Sequence, residues 1–414
     1  MTSAVPEPVA SSSSRELRRE ALRFVVALGV LSLFADMVYE GARSILGPFL
    51  VTLGASAAAV GLISGVGEFV GYALRVGAGY AADRTRRYWA LTIGGYLLTL
   101  VAVPLLGLVG RVDLAFALVI AERLGKAIRT PSRDTLLAHA SHGMGRGVGF
   151  GLHEALDQIG AVLSPLLLSA VLAARVGDYG LAFGVLAVPG LFAFAAMMWA
   201  RFKVPDPARF EPAAGDASHP HPSDPSPLRS ETLRRYFVFV FVATLGFAPF
   251  PLIAFHLTTR GVLSDSHIPL LFAAAMAIDA AIALGVGRLY DRKGLIVLVS
   301  APMATSATLL LFTGSAILAW IGAAIWGGVL GLQESTLRTA VGDLVRSGRR
   351  AIAYGWFNTA YGLSLLLAGS LLGALYERSI MAMAGFILIS EVAALVVFAR
   401  LRKSSVAERG ARLA

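Results

Sequence analysis

GAGYAADRTRRY, residues 77–88, joins two long apolar stretches, and GVGRLYDRKGL, residues 285–295, joins two more in the second half of the chain. Gly79 and Asp83 of the first stand where Gly287 and Asp291 stand in the second. Cations follow in both, Arg84 and Arg87 in one and Arg292 in the other. Further along, GFGLHEALDQIGAVLSPLLLSAVL (149–172) has a counterpart in AYGWFNTAYGLSLLLAGSLLGAL (353–375). The chain therefore reads as one unit of apolar segments written twice, with a charged glycine loop at the same place in each copy.

Composition says where such a unit lives. Of 414 residues, 56% are hydrophobic and 15% charged, with a mean hydropathy of +0.71. Soluble domains carry about 45–50% apolar and about 25% charged residues, so both departures point to lipid. No cysteine is present, which excludes disulfides and thiolate metal sites. The formal charge is +10. Binding nucleic acid would require that excess on a soluble basic face, which so apolar a chain does not offer; the Lys/Arg bias of cytoplasmic loops accounts for it. The opening MTSAVPEPVASSSSRELRRE is polar and Ser-rich. It has neither the short apolar core nor the cleavage site of a removable signal.

A span takes about 20 mostly apolar residues. Charge clusters and Gly/Pro punctuation mark twelve of them, near 22–52, 56–82, 87–110, 112–139, 146–174 and 179–201, then 233–259, 267–290, 294–314, 316–344, 350–376 and 379–401. The expected fold is an all-α membrane protein with twelve transmembrane helices in two six-helix halves. Cations sort to alternate loops: Arg84, Arg86 and Arg87, Arg234 and Arg235, Arg292 and Lys293, Arg402 and Lys403 on one side, against little more than Arg111, Arg175, Arg260 and Arg378. That asymmetry places both termini in the cytoplasm, in a multi-pass protein of the cell (inner, cytoplasmic) membrane. Residues 1–21 are expected as a disordered cytoplasmic N-terminus, 22–202 as the first half, 203–232 as a cytoplasmic linker, 233–402 as the second half and 403–414 as a tail. The linker is too rich in Pro, Asp and Ser to bury a core. His219 and His221 in its HPHP read as solvated residues rather than a metal site.

Twelve spans, a central linker and the duplicated Gly-x-x-x-Asp-Arg loop resemble the major facilitator superfamily over nearly the whole chain. Its loop signature is approximately Gly-x-x-x-Asp-Arg/Lys-x-Gly-Arg/Lys-Arg/Lys. Gly79, Asp83, Arg84 and Arg87 fit, while Arg86 replaces the second glycine; the other copy keeps Gly287, Asp291, Arg292 and Gly294. The resemblance implies that this loop is a cytoplasmic latch whose ion pairs favour one of two states; a topology signal alone is the plainer reading. GAVLSPLLLSA (160–170) resembles an antiporter-associated Gly-x-x-x-Gly-Pro-x-x-Gly-Gly signature in Gly160 and Pro165, but Ser164, Leu168 and Ser169 replace glycines. ERLGKAIRTPSRD (122–134) carries Arg123 like the family's fourth-helix arginine, and with GLQESTLRTAVGDL (331–344) it resembles a subgroup of prokaryotic permeases. The resemblance further implies that helices one, four, seven and ten line a central cavity, with the site near the midplane between halves.

FADMVYEGAR, residues 34–43, puts charges where a bilayer rejects them. Asp36, Glu40 and Arg43 recur at i, i+4 and i+7, so they share one helical face. Glu122, Lys126, Arg129 and Arg133 form a comparable stripe on the fourth span, with Arg123 beside it; the fifth carries His153, Glu154, Asp157 and Gln158, and the tenth Gln333, Glu334 and Arg338. Each charge at a helix centre costs about 2.5–3.5 kcal/mol on insertion scales, so these groups must face water or pair. Structural ion pairs are the alternative for any single residue. Arg129, Arg133 and Asp134 rank lower, because Pro131 suggests a cytoplasmic end. Glu68 lies between Gly67 and Gly71, whose GxxxG spacing favours close helix packing. The second and eighth spans also hold Arg75 and Asp279.

The proton-coupling and cavity candidates are Asp36, Glu40, Arg43, Glu122, Arg123, Lys126, His153, Glu154, Asp157 and Glu334. Those for substrate are Tyr39, Gln158, Gln333, Tyr354, Asn358 and Tyr361, and Pro249 with Pro251 marks a hinge in the seventh span. The function expected first is a secondary active transporter of a small organic solute by alternating access, coupled to protons and directed outward. Proton-coupled uptake of an organic anion comes second, and a non-transporting receptor or scaffold on the same fold is the reading from another class. No catalytic set speaks for an enzyme, and no GxxxxGK[ST] sequence speaks for an ATP-driven pump. The expected partners are a small-molecule substrate, protons and the lipid bilayer, without cofactor, metal or nucleic acid, and the expected state is a monomer.

Overall fold

The computed structural model describes residues 10–141, 146–210, 230–345 and 350–413, which are helical and contain no strand. The helices of the first half are α1 (Ala10–Thr52), α2 (Ala57–Thr85), α3 (Tyr88–Leu105), α4 (Val112–Ser141), α5 (Arg146–Ala174), α6 (Tyr179–Val185) and α7 (Ala187–Lys203). Those of the second are α8 (Glu231–Leu245), α9 (Phe250–Thr259), α10 (His267–Lys293), α11 (Ser300–Ala307), α12 (Ala316–Leu344), α13 (Arg350–Arg378) and α14 (Ile380–Leu413). Four begin on a serine or aspartate whose side chain accepts a backbone N–H of the first turn: Ser56, Asp178, Ser230 and Ser315.

Ten segments among the described residues are long and apolar enough to cross a membrane. α4 fails that measure only through its charge stripe. One segment, His267–Phe312, is 46 residues long; at about 1.5 Å per residue it is too long for one crossing, and it breaks at Gly294, where α10 ends. The twelve crossings are α1 to α5, the pair α6 and α7, the pair α8 and α9, α10, α11 with its flanking 3-10 turns, α12, α13 and α14. His219 and His221 lie outside the described residues, as do most of the linker and residues 1–9.

Two expected boundaries move outward. α1 begins at Ala10, ahead of residue 22, and α14 runs to Leu413. The Arg, Glu and Leu of RELRREALR are strong helix formers, so the helix continues past its apolar part. The broken span is where Pro249 and Pro251 stand, since neither has an N–H to give a helix.

Both copies of the glycine loop close their helix with a positive φ. Gly294 has φ 65° and Arg86, its counterpart, has φ 53°. Glycine adopts that conformation freely, whereas a residue with a Cβ gives up about 1–2 kcal/mol. The missing glycine is thus an αL position filled by arginine.

An even number of crossings puts the start of α1, the linker and the end of α14 on one face, called here the terminal face. Towards the opposite face the two halves share one core, in which Phe49, Phe183 and Leu186 join Phe250, Phe272 and Trp326. Near the terminal face the second half keeps a core of its own around Tyr236, Phe239, Leu298, Leu337 and Phe398. Backbone contact makes the opposite-face junction tight. A Cβ on Gly47 would overlap the Pro251 carbonyl, and one on Gly61 the Gly369 carbonyl. The Ala58 N–H also donates to Glu377 Oε1 at 2.9 Å.

Candidate functional site

Tyr39, midway along α1, is the hub. Its hydroxyl accepts from Arg123 of α4, whose guanidinium lies 4.6 Å from the Tyr39 ring centroid, and Lys126 Nζ stands 3.5 Å from that same centroid. Residues 123 and 126 are one turn apart, so one face of α4 supplies both cations. Arg123 is 6% exposed and pairs with Glu68 at 3.1 Å and Glu122 at 3.4 Å. Glycine makes room for it: a Cβ on Gly67 would come within 3.2 Å of Arg123 Cγ. The Gly67 and Gly71 spacing therefore lets an arginine lie along α2, rather than bringing two backbones together as the GxxxG reading expects.

One turn towards the opposite face, Glu40 pairs with Arg43 at 3.5 Å. Arg43 also reaches the other half, its guanidinium 5.9 Å from the Phe272 ring and 5.8 Å from the Trp326 ring. Between Tyr39, Arg43, Glu122 and Arg123 is a cavity of about 20 Å³, room for about one water. In this conformation the cluster is closed on itself.

Towards the terminal face lies a second group. Arg133 donates to Ser32 Oγ at 3.1 Å and pairs with Asp134 at 2.9 Å and Asp157 at 4.0 Å. His153 Nε2 is 3.6 Å from Asp157. Beside it the halves meet through polar atoms, Gln158 Nε2 donating to Asp279 Oδ2 at 3.3 Å. On the other flank Tyr361 donates to Gln333 Oε1 at 3.1 Å and meets Tyr72 edge-on at 5.0 Å, while Arg75 sits 4.6 Å over the Tyr72 ring.

The structure thus brings together Tyr39, Glu40, Arg43, Glu122, Arg123 and Lys126, and separately His153 and Asp157. Asp36 is half-buried with no cation within 4 Å among the described residues, and Lys126 has no carboxylate within that distance. Among the described residues, Glu154 and Glu334 are exposed and form no ion pair, and Asn358 Oδ1 is buried without a donor. Tyr354 lies against α12 at Gly342. Asp83 and Asp291 are exposed and form no ion pair among the described residues; Arg84 donates to Tyr80. Arg129, grouped with Arg133 by sequence, parts from it: it is 1% exposed, 4.2 Å over the Tyr96 ring between α3 and α4. The candidate set omitted Glu68, Arg133, Asp279, Phe272 and Trp326. A charge flanked by glycines was the available signal for Glu68.

Two six-helix halves, fused at one face and meeting at midspan around buried polar and charged groups, define a membrane transporter built of two halves. The sequence profile of the Major Facilitator Superfamily matches residues 28–369, and the chain belongs to that family of membrane transporters rather than to any class of enzyme. An uncharacterized protein of Mycobacterium tuberculosis (strain ATCC 25618 / H37Rv) is 45% identical over 388 residues, 94% of this chain and 95% of that one. An uncharacterized MFS-type transporter of Methanocaldococcus jannaschii is 34% identical over 154 residues, 37% of this chain and 38% of that one. The crystal structure of the nucleoside transporter NupG covers 92% of this chain and 98% of its own at a TM-score of 0.71 and 12% identity, a likeness of fold.

Proposed function

We propose that the chain exports a small organic solute in exchange for protons, with Asp36 and Glu40 as the coupling carboxylates. One observation carries the coupling: Arg43 is held by Glu40 in the first half while its guanidinium rests on Phe272 and Trp326 of the second. A proton on Glu40 removes the partner of Arg43 and leaves its charge to the aromatic faces across the interface. Proton occupancy and the contact between halves are then linked, as coupled transport requires. The outward direction draws support from Gly160 and Pro165, and Gly160 packs so closely on the Leu33 carbonyl of α1 that a Cβ would overlap it. The excess of cations on the terminal face supports cytoplasmic termini and insertion in the cell membrane. In this reading the monomer is the transporting unit.

In proteoliposomes, Asp36→Asn and Glu40→Gln are expected to cut solute-dependent proton flux at least tenfold while the unfolding temperature stays near that of the wild type. Full flux in both variants removes these residues as coupling groups.

Uptake of an organic anion is the second reading, favoured by Lys126, whose ammonium has a ring face and no carboxylate within 4 Å among the described residues. Its test uses the purified protein and a panel of carboxylates with their neutral amides. Lys126→Gln is expected to lose stabilisation by the acids and to keep any given by the amides. Equal loss for both sets aside a charge-selective role.

A further inference from the structure

Glu391, on α14, belongs to neither charge group described above. It is 1% exposed, and neither carboxylate oxygen has a hydrogen-bond donor among the described residues. No cation pairs with it among the described residues. The elements packed on α14 are α8, the stretch around α11 and α13, and Phe237–Leu245, Gly294–Ala307 and Leu363–Leu375 within them contain no titratable side chain. Ser390, next in the chain, spends its hydroxyl on the Phe386 and Ile387 carbonyls of its own helix.

What the carboxylate touches is the break in the seventh crossing. A Cβ on Gly246 would overlap Glu391 Oε1 and come within 3.1 Å of Cδ, so only a residue without a side chain lets Glu391 approach. Gly246 caps the C-terminal end of α8. In an unbroken helix Pro249 would donate to the Leu245 carbonyl and Pro251 to that of Phe247, but proline has no N–H. Those two carbonyls, on the residues that flank Gly246, are therefore without helical donors. A helix C-terminus carries partial negative charge. An ionised Glu391 would add a like charge in a dry, cation-free setting, which is strongly unfavourable. The arrangement is stable only with a positive charge on it.

We propose that Glu391 and the α8–α9 interruption form a binding site for a small monovalent cation, either a proton on the carboxylate or Na⁺ shared with the freed carbonyls. Unwound backbone beside a buried carboxylate suits either occupant. The site is in the second half only, remote from Tyr39 and Arg123, and its occupancy is an equilibrium property that stands or falls apart from solute coupling.

The test uses the full chain in nanodiscs of neutral lipid. The unfolding temperature is followed against pH without Na⁺, and at alkaline pH with Na⁺ replacing choline. Ligand linkage predicts a rise of a few degrees in the wild type as the site fills, and Glu391→Gln, which is permanently neutral, is expected to lose that part of the rise. Dependence on pH alone assigns the proton and dependence on Na⁺ assigns the metal ion; either supports the site. Infrared difference spectra of the wild type against Glu391→Gln give a second reading, a protonated-carboxyl band near neutral pH that the variant lacks and that Na⁺ either spares or removes. Wild type and Glu391→Gln responding alike in both titrations, or a wild type with neither the band nor a Na⁺ response, overturns the proposal.

Discussion

Replacing Arg123 with leucine is expected to lower unfolding stability by about 3–5 kcal/mol, the usual consequence of removing one partner from a buried charge network, and to abolish transport. The loss follows from the groups left behind. Glu68 and Glu122 both depend on this guanidinium, and Tyr39 loses its donor. Lysine restores a charge but not the fork that serves two carboxylates and a hydroxyl together, so Arg123→Lys is expected to fold better than Arg123→Leu and still transport poorly. Adding Glu68→Gln to Arg123→Leu is expected to regain part of the stability, because an uncompensated charge is then gone, with no regain of flux. Thermal unfolding of the three variants beside solute flux checks this. A leucine variant as stable as the wild type would show that the network is dispensable to the fold.

Gly369→Val is expected to have the largest conformational effect. Its Cβ would overlap the Gly61 carbonyl and stand 3.0 Å from the Gly65 nitrogen, and these are backbone atoms that cannot rotate away. The contact between α2 and α13 at the opposite face then cannot form, and the population moves to a conformation open on that face. Carrying a two-state protein from 1:99 to 99:1 takes about 5.5 kcal/mol, within reach of a steric overlap between backbones. The chain has no cysteine, so cysteines introduced at the exposed Val176 and Met381 carry spin labels uniquely. Double electron–electron resonance is expected to show a longer distance dominating in the variant. Unchanged distances mean that this junction does not separate during the cycle.

The crossings and the charge faces of α1 and α4 were legible because each is a local property. Twenty apolar residues and a recurrence every three or four positions can be read from one segment at a time. The partners were harder to read. Glu68 was weighed as a helix-packing residue, since sequence does not show that an arginine from another helix fills the space over Gly67 and Gly71. Phe272 and Trp326 look like ordinary core aromatics until Arg43, more than two hundred residues earlier, is laid on them. Periodicity also failed to separate Arg129 from Arg133, four positions apart on α4, one against Tyr96 and the other bonded to α1 and α5. Glu154 and Glu334 have the right residue type on the right helices, yet neither is drawn into a pair among the described residues. The αL backbone of Arg86 had a sequence signal, the glycine absent from the first loop.

The inner charges of the first half have an electrical consequence. Between residues 36 and 157 the buried and half-buried charges are six cations, Arg43, Arg75, Arg123, Lys126, Arg129 and Arg133, and six carboxylates, Asp36, Glu40, Glu68, Glu122, Asp134 and Asp157. A set balanced in this way, when fully ionised, carries no net charge through the membrane field as its half rotates. Each elementary charge crossing 100 mV is worth about 2.3 kcal/mol, so an unbalanced set would tie the resting conformation to voltage. For this half, the expected voltage dependence then falls to whatever is bound there, protons on Asp36 and Glu40 included.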